Sequence, residues 1–364
     1  MLNRKFILIT ACITLMATFS ACSKNQASNR EEVKVGSKKI TVINNDNTSA
    51  YNELALKKIN NIKGVRAFEW IDENTILISK ENTGYPKIFT EGGMVYPQNL
   101  YSYDLKTNET KLILGSENSM GNAVLSPDKK HVFYKEGIEN LTGFILNLET
   151  KQKFQITEKD SIYPTEGQWV DNDKVIFSAL PQGKIYMADT KGKVTQIADA
   201  KGLATNTIKV KNDLYYSVGE KLYKQAVDSK ERKLLREDVA LLIPSPERTE
   251  FALVKHNAET KRTLTLSDLE GKETKTLAEG TQIMGTSWSS DSSKLAYTVA
   301  SKSNGEAGLF VVDVKSGKVV QLAVDIQYIS DSVKWSPSGK RLLASNFIME
   351  NGKNSVVSYI IDLK

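Results

Sequence analysis

The sequence predicts an all-β protein, a seven-bladed β-propeller of four-stranded antiparallel blades that is closed by an N-terminal strand. Two observations indicate this architecture, because two different strand signatures recur at the same interval along the chain. A third observation excludes a large helical part. After the first 21 residues, no stretch keeps an apolar period of about 3.6 residues over the length of a helix.

The first signature is a strand that ends in Trp or an equivalent residue, followed by a polar turn and an apolar β run. Its clearest copies are "VKWSPSGKRLLAS", "TSWSSDSSKLAYTV", "GQWVDNDKVIFSA" and "FEWIDENTILISK". Alignment of all copies places the Trp-like position at Trp70, Leu125, Trp169, Lys209, Pro244, Trp288 and Trp335. The mean spacing is about 44 residues, which is typical of propeller blades. We expect the four Trp side chains to pack between blades rather than to stack on a ligand.

The second signature is a short alternating strand that leads into a turn. It also occurs seven times, as "LYSYDL", "GFILNL", "KIYMAD", "KLYKQA", "LTLSDL", "LFVVDV" and "YIIDL". The turns that follow, such as "DTKGK" and "DVKSGK", contain the Asp, Gly and Ser that tight turns favour. Seven copies of each signature predict seven blades.

The seventh blade needs a strand from elsewhere, because its copy reaches Lys364 with only the third strand. The segment "LALKKI", residues 54–59, resembles the fourth strand of the other blades. We expect it to pair into the last blade and close the ring, which covers sheet edges that an open array would leave exposed. The earlier "KKITVIN" either adds an edge strand or caps the ring.

The N terminus has the features of an export signal. The opening "MLNRK" is positively charged and the following "FILITACITLMATF" is almost wholly apolar, yet shorter than the roughly 20 residues of a membrane-spanning helix. The segment ends in "SAC" at Cys22, which resembles the lipobox of bacterial lipoproteins. That resemblance implies cleavage before Cys22 and a diacylglycerol on its sulfur. The alternative is an ordinary signal peptide with an incidental cysteine.

This interpretation divides the chain into a signal peptide (1–21), an acylated Cys22 with a flexible polar tether (22–37) and a propeller domain (38–364). It places the protein at the cell membrane, lipid-anchored on the extracytoplasmic face. The other cysteine, Cys12, lies in the segment that would be removed, so no disulfide is expected.

The repeat itself resembles the WD40-like repeats of TolB-type propellers. The closest stretches are "WSPSGKRLLAS" and "SPDKKHVFY", and the resemblance covers about residues 50–364. In architecture the chain is also similar to YqgU-like bacterial lipoproteins. The resemblance implies the fold strongly and the function weakly, because the same repeat occurs in scaffolds, peptidase gating domains and some lyases.

The residue types that usually carry catalysis are sparse. His131 and His256 are predicted on opposite faces, so they cannot share a metal or acid-base site. The "GTSWSSD" stretch around Ser287 is not a nucleophile elbow. Two acidic pairs, Asp171 with Asp173 and Asp72 with Glu73, are turn residues or calcium ligands, and the turn interpretation fits their spacing better. We therefore expect no catalytic residue, no metal, no cofactor and no enzymatic activity.

The charge pattern also limits the partners. The formal net charge is +6 and the lysines are interspersed with acidic residues, which argues against nucleic-acid binding. We expect membrane lipid to be bound through acylated Cys22, and the folded domain to bind a protein, peptide or glycan.

Two irregular connections are the candidate binding site. Blade one carries an insertion, "ENTGYPKIFTEGGMVYPQN" (81–99), and blade seven carries "NFIMENGKN" in the equivalent connection. Ring closure makes these blades neighbours, so both insertions should rise from one face. The candidate binding residues are Tyr85, Phe89, Met94, Tyr96, Phe347 and Met349. The alternative is that the two insertions pack on each other and seal the closure.

The predicted function is that of a binding or scaffold module in the cell envelope, which recognises a protein or wall polymer through these insertions. Two alternatives remain: an enzyme that acts on polysaccharide or peptide at the propeller face, and an extracellular sensor subunit that signals to a membrane partner.

Overall fold

The computed structural model describes residues 30–35, 38–43, 54–157, 160–227, 229–300, 307–327, 329, 331–350 and 353–364. Within these ranges the regular structure is all β, without a helix. Seven antiparallel sheets follow one another along the chain, and the first strands of neighbouring sheets meet at the centre. The predicted seven-bladed β-propeller is confirmed.

The strands are numbered in chain order, and each blade runs from its innermost to its outermost strand. Before the ring lie β1 (Arg30–Val35), β2 (Lys38–Ile43) and β3 (Leu56–Lys63). Blade one contains β4 (Arg66–Trp70), β5 (Thr75–Glu81), β8 (Gln98–Asp104) and β9 (Thr110–Leu114), with the inserted hairpin β6 (Ile88–Thr90) and β7 (Gly93–Val95). Blade two contains β10 (Met120–Leu125), β11 (His131–Glu136), β12 (Thr142–Asn147) and β13 (Lys153–Gln155).

Blade three has an innermost strand in two pieces: its strands are β14 (Ser161–Ile162), β15 (Gln168–Trp169), β16 (Lys174–Leu180), β17 (Lys184–Asp189) and β18 (Val194–Asp199). Blade four contains β19 (Ala204–Val210), β20 (Asp213–Val218), β21 (Lys221–Ala226) and β22 (Lys233–Arg236). Blade five contains β23 (Val239–Pro244), β24 (Phe251–Ala258), β25 (Lys261–Ser267) and β26 (Glu273–Gly280).

Blade six contains β27 (Gln282–Trp288), β28 (Lys294–Ala300), β29 (Gly308–Asp313) and β30 (Val319–Ala323). Blade seven contains β31 (Lys334–Trp335), β32 (Arg341–Glu350), β33 (Lys353–Leu363) and, as its outermost strand, β3. We call the face that carries the connections from second to third strands the loop face. The opposite face, which carries the turns after the Trp-like positions, is the turn face.

The four Trp side chains lie between blades, as predicted, and each is less than 10% exposed. Every indole Nε1 donates a hydrogen bond to a backbone carbonyl of the preceding blade. The pairs are Trp70 to Lys334 (3.0 Å), Trp169 to Val124 (2.9 Å), Trp288 to Ile243 (3.2 Å) and Trp335 to Ser287 (3.2 Å). Each acceptor directly precedes the Trp-like position of its own blade, so the Trp repeat joins neighbouring blades in a fixed register.

The core is a ring of seven apolar clusters, and each cluster combines side chains from two neighbouring blades. The cluster between blades six and seven includes Leu56 and Ile59 from β3. Burial of this apolar surface is the main favourable contribution to folding. A blade is therefore stable only against its neighbours.

The ring closes as predicted, because β3 pairs antiparallel with β33 and Ile59 lies opposite Ile361. Side chains of blade seven also bond to blade one. The hydroxyls of Ser345 and Ser358 each accept a hydrogen bond from the backbone N–H of Ala67 at 3.0 Å. On the turn face, Arg341 pairs with the Glu73 carboxylate at 2.9 Å. The closure thus combines sheet pairing with bonds across the sheets.

The segment "KKITVIN" provides an edge strand. Strand β2 pairs with β30 through Val42 and Ala323, and β1 pairs with β2, so a hairpin lies outside blade six. Strand β1 covers residues 30–35, which the sequence analysis assigned to the tether. The predicted signal peptide, Cys22 and residues 23–29 lie outside the described residues. In the part of the chain that the structure describes, no helix is long and apolar enough to cross a membrane.

Candidate binding surface

The insertion of blade one is a hairpin on a fixed base. At the base, Asn82 donates its backbone N–H to the Pro97 carbonyl at 2.9 Å and its Nδ2 to Asn99 Oδ1 at 2.9 Å. Asn99 is fully buried and donates Nδ2 to the Ser116 carbonyl at 3.0 Å in the connection to blade two. Tyr85 packs over Gly115, where a Cβ would lie 2.8 Å from the tyrosine hydroxyl. The base is therefore anchored while the tip, β6 and β7, extends from the loop face.

The insertion of blade seven is an extension of its central hairpin. Strands β32 and β33 pair without interruption from Arg341 to Glu350. Phe347 lies opposite Val356, and Met349 lies opposite Asn354. This continuous ladder carries Phe347 and Met349 to the loop-face end of the blade.

The predicted binding residues lie on the same face of two neighbouring blades. The tip side chains are exposed: 76% for Phe89, 56% for Met94, 52% for Phe347 and 74% for Met349. Phe89 and Met94 are cross-strand partners in the β6–β7 hairpin. Tyr85 and Tyr96 are half-buried. Among the described residues, no hydrogen bond, ion pair or ring contact joins the two insertions.

Exposed apolar side chains are distributed unevenly over the propeller. Besides the four tip residues, Ile138 and Leu203 are exposed in loop-face connections, and Tyr163 follows β14 at the loop-face end of blade three. The remaining exposed examples are on outermost strands: Leu112, Val194, Leu234 and Val319. Two of these, Val194 and Val319, begin their strands at the turn-face end. Within the described ranges, the exposed apolar side chains are therefore concentrated on the loop face. A local concentration of exposed apolar surface is typical of an interaction site.

A charged cluster lies at the centre of the loop face, beside Phe347, and was not anticipated from the sequence. Arg66 forms two hydrogen bonds to Asp331, at 2.8 and 2.6 Å, and donates Nη2 to Asn122 Oδ1 at 3.0 Å. Its guanidinium carbon lies 5.3 Å from the Phe68 ring centre and 5.5 Å from that of Phe347. This arginine therefore connects the entry to blade seven with blades one and two, and it also supports Phe347.

Two further ionisable groups are buried near this cluster. Lys135 is 2% exposed and donates its amine to the Pro164 carbonyl at 2.8 Å. Burial lowers the pKa of Lys135 to about 7, with Arg66 acting in the same direction and Glu166 and Asp331 opposing it. Glu166 is also 2% exposed, and burial raises its pKa although the backbone N–H of Thr207 donates a hydrogen bond to Oε1 at 3.4 Å.

One signal in the sequence could have identified Lys135. The fifth residue of the second strand is a buried polar residue in all seven blades: Ser79, Lys135, Ser178, Ser217, Lys255, Thr298 and Ser345. Two of these hydroxyls bond to the next blade, since Ser178 donates to Ala204 O and Ser345 to Ala67 O. Lys135 makes the corresponding bond to blade three through its longer side chain. A comparison of the copies at this position shows lysine only in blades two and five.

The histidines and acidic pairs have structural partners. His131 opens β11 and His256 lies near the end of β24, which places them on opposite faces as predicted. His256 Nδ1 lies 2.8 Å from Glu220 Oε1. Asp72 accepts the backbone N–H of Asn74 at 2.7 Å, and Asp171 accepts that of Asp173 at 2.8 Å. These contacts are those of turn residues. In the described segments, no three His, Cys, Asp or Glu side chains form a group that could hold a metal ion.

The sequence matches no protein-family model and no curated protein. Several solved structures share the fold. An oligogalacturonate lyase in complex with manganese aligns with a TM-score of 0.62 at 16% identity, over 92% of this chain and 96% of its own. The β-propeller domain of Cps50 (Swd1) from Myceliophteria thermophila aligns with a TM-score of 0.59 at 11% identity, over 85% and 100%. TolB from Acinetobacter baumannii aligns with a TM-score of 0.46 at 14% identity, over 80% and 64%. At these identities the likeness shows the propeller fold alone.

The prediction that the protein is not an enzyme is corrected by this comparison. It rested on scarce histidines and on missing hydrolase motifs. The lyase has the same propeller over 92% of this chain, so the fold itself is compatible with catalysis. In addition, the centre of the loop face contains the ionisable groups Arg66, Asp331, Lys135 and Glu166, which were not identified from the sequence.

Proposed function

We propose that this protein is a lipid-anchored, extracytoplasmic β-propeller that acts as a binding or scaffold module in the cell envelope. Its recognition surface is the loop face, and the platform on that face consists of Tyr85, Phe89, Met94, Tyr96, Phe347 and Met349. The observation that carries the proposal is the uneven distribution of exposed large apolar side chains, which are found on the loop face and on outermost strands.

The platform has the composition of a protein-binding surface. Aromatic and Met side chains are enriched in the centres of interfaces, where charged residues are depleted. The tips also have a fixed base, because the Asn82 and Asn99 bonds and the continuous β32–β33 ladder hold them in place. Little conformational entropy would therefore be lost on binding. A protein, a peptide or a wall glycan could use this surface.

The anchor is supported by the sequence. The apolar "FILITACITLMATF" followed by "SAC" resembles a lipobox, and the similarity in architecture to YqgU-like lipoproteins agrees with it. Acylation of Cys22 would hold the propeller at the extracytoplasmic face of the membrane.

The proposal is tested with two platform variants of the acylated protein, Phe89→Ser with Met94→Ser, and Phe347→Ser with Met349→Ser. Immobilised protein is incubated separately with detergent-solubilised membranes and with purified cell wall. We expect each variant to lose binding by about tenfold or more, because exposed aromatic anchors contribute over about 1 kcal/mol each at interfaces.

The matched control replaces exposed apolar residues of outermost strands, Leu112→Ser with Leu234→Ser, which are 48% and 42% exposed. This control should bind like the parent protein, and all variants should unfold at nearly the same urea concentration. Equal loss of binding in the control, or full binding by both platform variants, would contradict the proposal.

A second candidate function is an enzyme that acts on polysaccharide at the centre of the loop face. It is favoured by the buried Lys135 and Glu166 close to Arg66 and Asp331. The appearance of unsaturated products from oligogalacturonate, and their loss in Arg66→Met, would establish this candidate instead.

A further inference from the structure

The β6–β7 hairpin has open backbone edges where its exposed side chains are. The two-residue turn 91–92 joins Thr90 to Gly93, and the pair that closes such a turn is hydrogen-bonded. In an antiparallel ladder the next pair exchanges no hydrogen bonds, so its N–H and C=O groups point away from the hairpin. This next pair is Phe89 with Met94. Both residues therefore combine an exposed apolar side chain with backbone groups that no described residue binds.

The end of β32 has the same arrangement. Ser336 donates its backbone N–H to the Arg341 carbonyl at 2.9 Å, so the backbone groups of Arg341 point toward β31. Every second residue of β32 shares this direction, which includes Phe347 and Met349. Strand β31 pairs no further along β32 than Leu343. In the described chain, the N–H and C=O groups of Phe347 and Met349 on this edge are therefore without a hydrogen-bond partner.

The exposed side chains of this edge face blade one. Side chains two residues apart in a strand lie on the same side of the sheet, so Ser345 shares its side with Phe347 and Met349. The Ser345 hydroxyl donates to the Ala67 carbonyl of blade one at 3.0 Å. Phe347 accordingly lies 5.5 Å from the guanidinium carbon of Arg66, the first residue of β4. A strand added along this edge would place every second side chain on the apolar side, toward the insertion of blade one.

An extended peptide satisfies both kinds of exposed group on this edge. Its backbone can bond to the N–H and C=O groups of Phe347 and Met349, which are two residues and about 6.6 Å apart along the strand. Its alternate side chains can cover the exposed apolar side chains. A helix keeps its backbone hydrogen bonds within itself, and a glycan has no regular alternation of donors and acceptors at this spacing.

From these observations we infer that the platform binds an extended segment of a partner protein, and that this segment adds a strand to β32 at Phe347 and Met349. The segment has apolar residues at alternate positions. The inference rests on the proposed function, because it names the class of partner and the mode of binding for the same platform.

The backbone contribution is tested by two variants of one position, Met349→Pro and Met349→Ala. Both lose the exposed side chain, but only proline also lacks the N–H on the open edge. Pairing with β33 loses no hydrogen bond, because Met349 and Asn354 are a pair that exchanges none. We expect Met349→Pro to bind the membrane or wall fraction at least about fivefold more weakly than Met349→Ala, which corresponds to one hydrogen bond. Equal binding by the two variants overturns strand addition.

A second test changes the ligand and leaves the protein intact. Short random peptides are selected on the immobilised acylated protein, and the selected peptides are resynthesised with one N-methyl group at each position in turn. Each N-methyl group removes one backbone donor, so we expect about tenfold weaker binding at every second position and little change between them. Losses at helical spacing overturn the inference. Selection that yields only peptides bound equally well by the Phe347→Ser with Met349→Ser variant also overturns it.

The class of partner is tested by treating the membrane and wall fractions with proteinase before incubation. We expect this treatment to abolish binding by the parent protein. Binding that survives it identifies a glycan or a lipid, and self-association of the acylated protein that the two Met349 variants weaken identifies a second copy of this chain. Either result overturns the inference and leaves the recognition surface intact. The proposed function itself fails if the platform variants bind like the parent protein, so the two failures are distinguishable.

Discussion

Lys135 occupies a buried position that a small hydroxyl residue holds in five of the other six blades. Its amine is bound to a carbonyl, that of Pro164, and pairs with no carboxylate among the described residues. A buried ammonium group without a carboxylate partner is unfavourable, which is why burial lowers the pKa of Lys135 to about 7. The amine is therefore largely neutral only above that pH.

Lys135→Met is expected to raise the free energy of unfolding, most strongly below about pH 7. The unfolded chain keeps this amine protonated up to about pH 10. The folded protein therefore carries the full penalty of the buried charge below its own pKa, and the penalty fades as the pH rises from about 7 to about 10. We expect a gain on the order of a few kcal/mol at low pH and almost none near pH 10, as measured by urea unfolding across this range.

Lys255→Met is the matched control, because Lys255 holds the same strand position but pairs with Glu273 at 2.6 Å. Removal of the Lys255 amine leaves the Glu273 carboxylate with one ion pair fewer and should lower the free energy of unfolding. If Lys135→Met raises the free energy of unfolding by the same amount at every pH, burial of the charged amine is not the cause of the increase.

At the scale of strands, the sequence is informative where a feature repeats. The alignment of the Trp-like positions is correct even for Lys209, which is not aromatic. Lys209 pairs with Leu214, the second residue of its neighbouring strand, just as Trp70 pairs with Ile76. The blades therefore share a strand register as well as a recurring side chain. The split of the innermost strand in blade three also had a signal, since Pro164 and Gly167 interrupt the strand pattern.

The central cluster had no such signal. Arg66, Asn122 and Asp331 belong to three different connections or strands, and Arg66 is 265 positions from Asp331. They meet only because the ring closes and because the long entry to blade seven crosses toward blade one. A repeat alignment compares equivalent positions, and these residues are not equivalent. The platform tips could be predicted because they interrupt the repeat, whereas their support by Arg66 and Asn99 depends on the folded ring.

Strand β3 is expected to contribute to the stability of the entire ring. Ile59 is 5% exposed and packs in the cluster between blades six and seven. Ile59→Ala should lower the free energy of unfolding by about 2–5 kcal/mol, because it removes buried methyl groups and leaves a cavity. The exposed neighbour Lys58→Ala should change it by less than about 0.5 kcal/mol. If urea unfolding finds the two changes equal, closure by β3 is not what holds the last blade.

In the whole molecule, the elements that interrupt the repeat lie in the same sector of the ring as the closure. Three hairpins project from the ring: β1–β2 at blade six, the end of β32–β33 in blade seven and β6–β7 in blade one. These three blades are consecutive around the closure. The remaining blades have short connections, and the turn face consists of Asp-bonded turns such as those at Asp104 and Asp268. One sector of one face is thus specialised, while the seven interblade clusters provide a uniform framework.

The hairpin β1–β2 is expected to contribute little to the stability of the ring. In the described chain it pairs with the propeller through Val42 and Ala323, at the outer edge of blade six. Replacement of residues 30–43 by a flexible Gly-Ser segment of equal length should therefore leave the free energy of unfolding within about 0.5 kcal/mol of the parent value. Urea unfolding measures this change, and a loss of several kcal/mol would show that the hairpin belongs to the folded core.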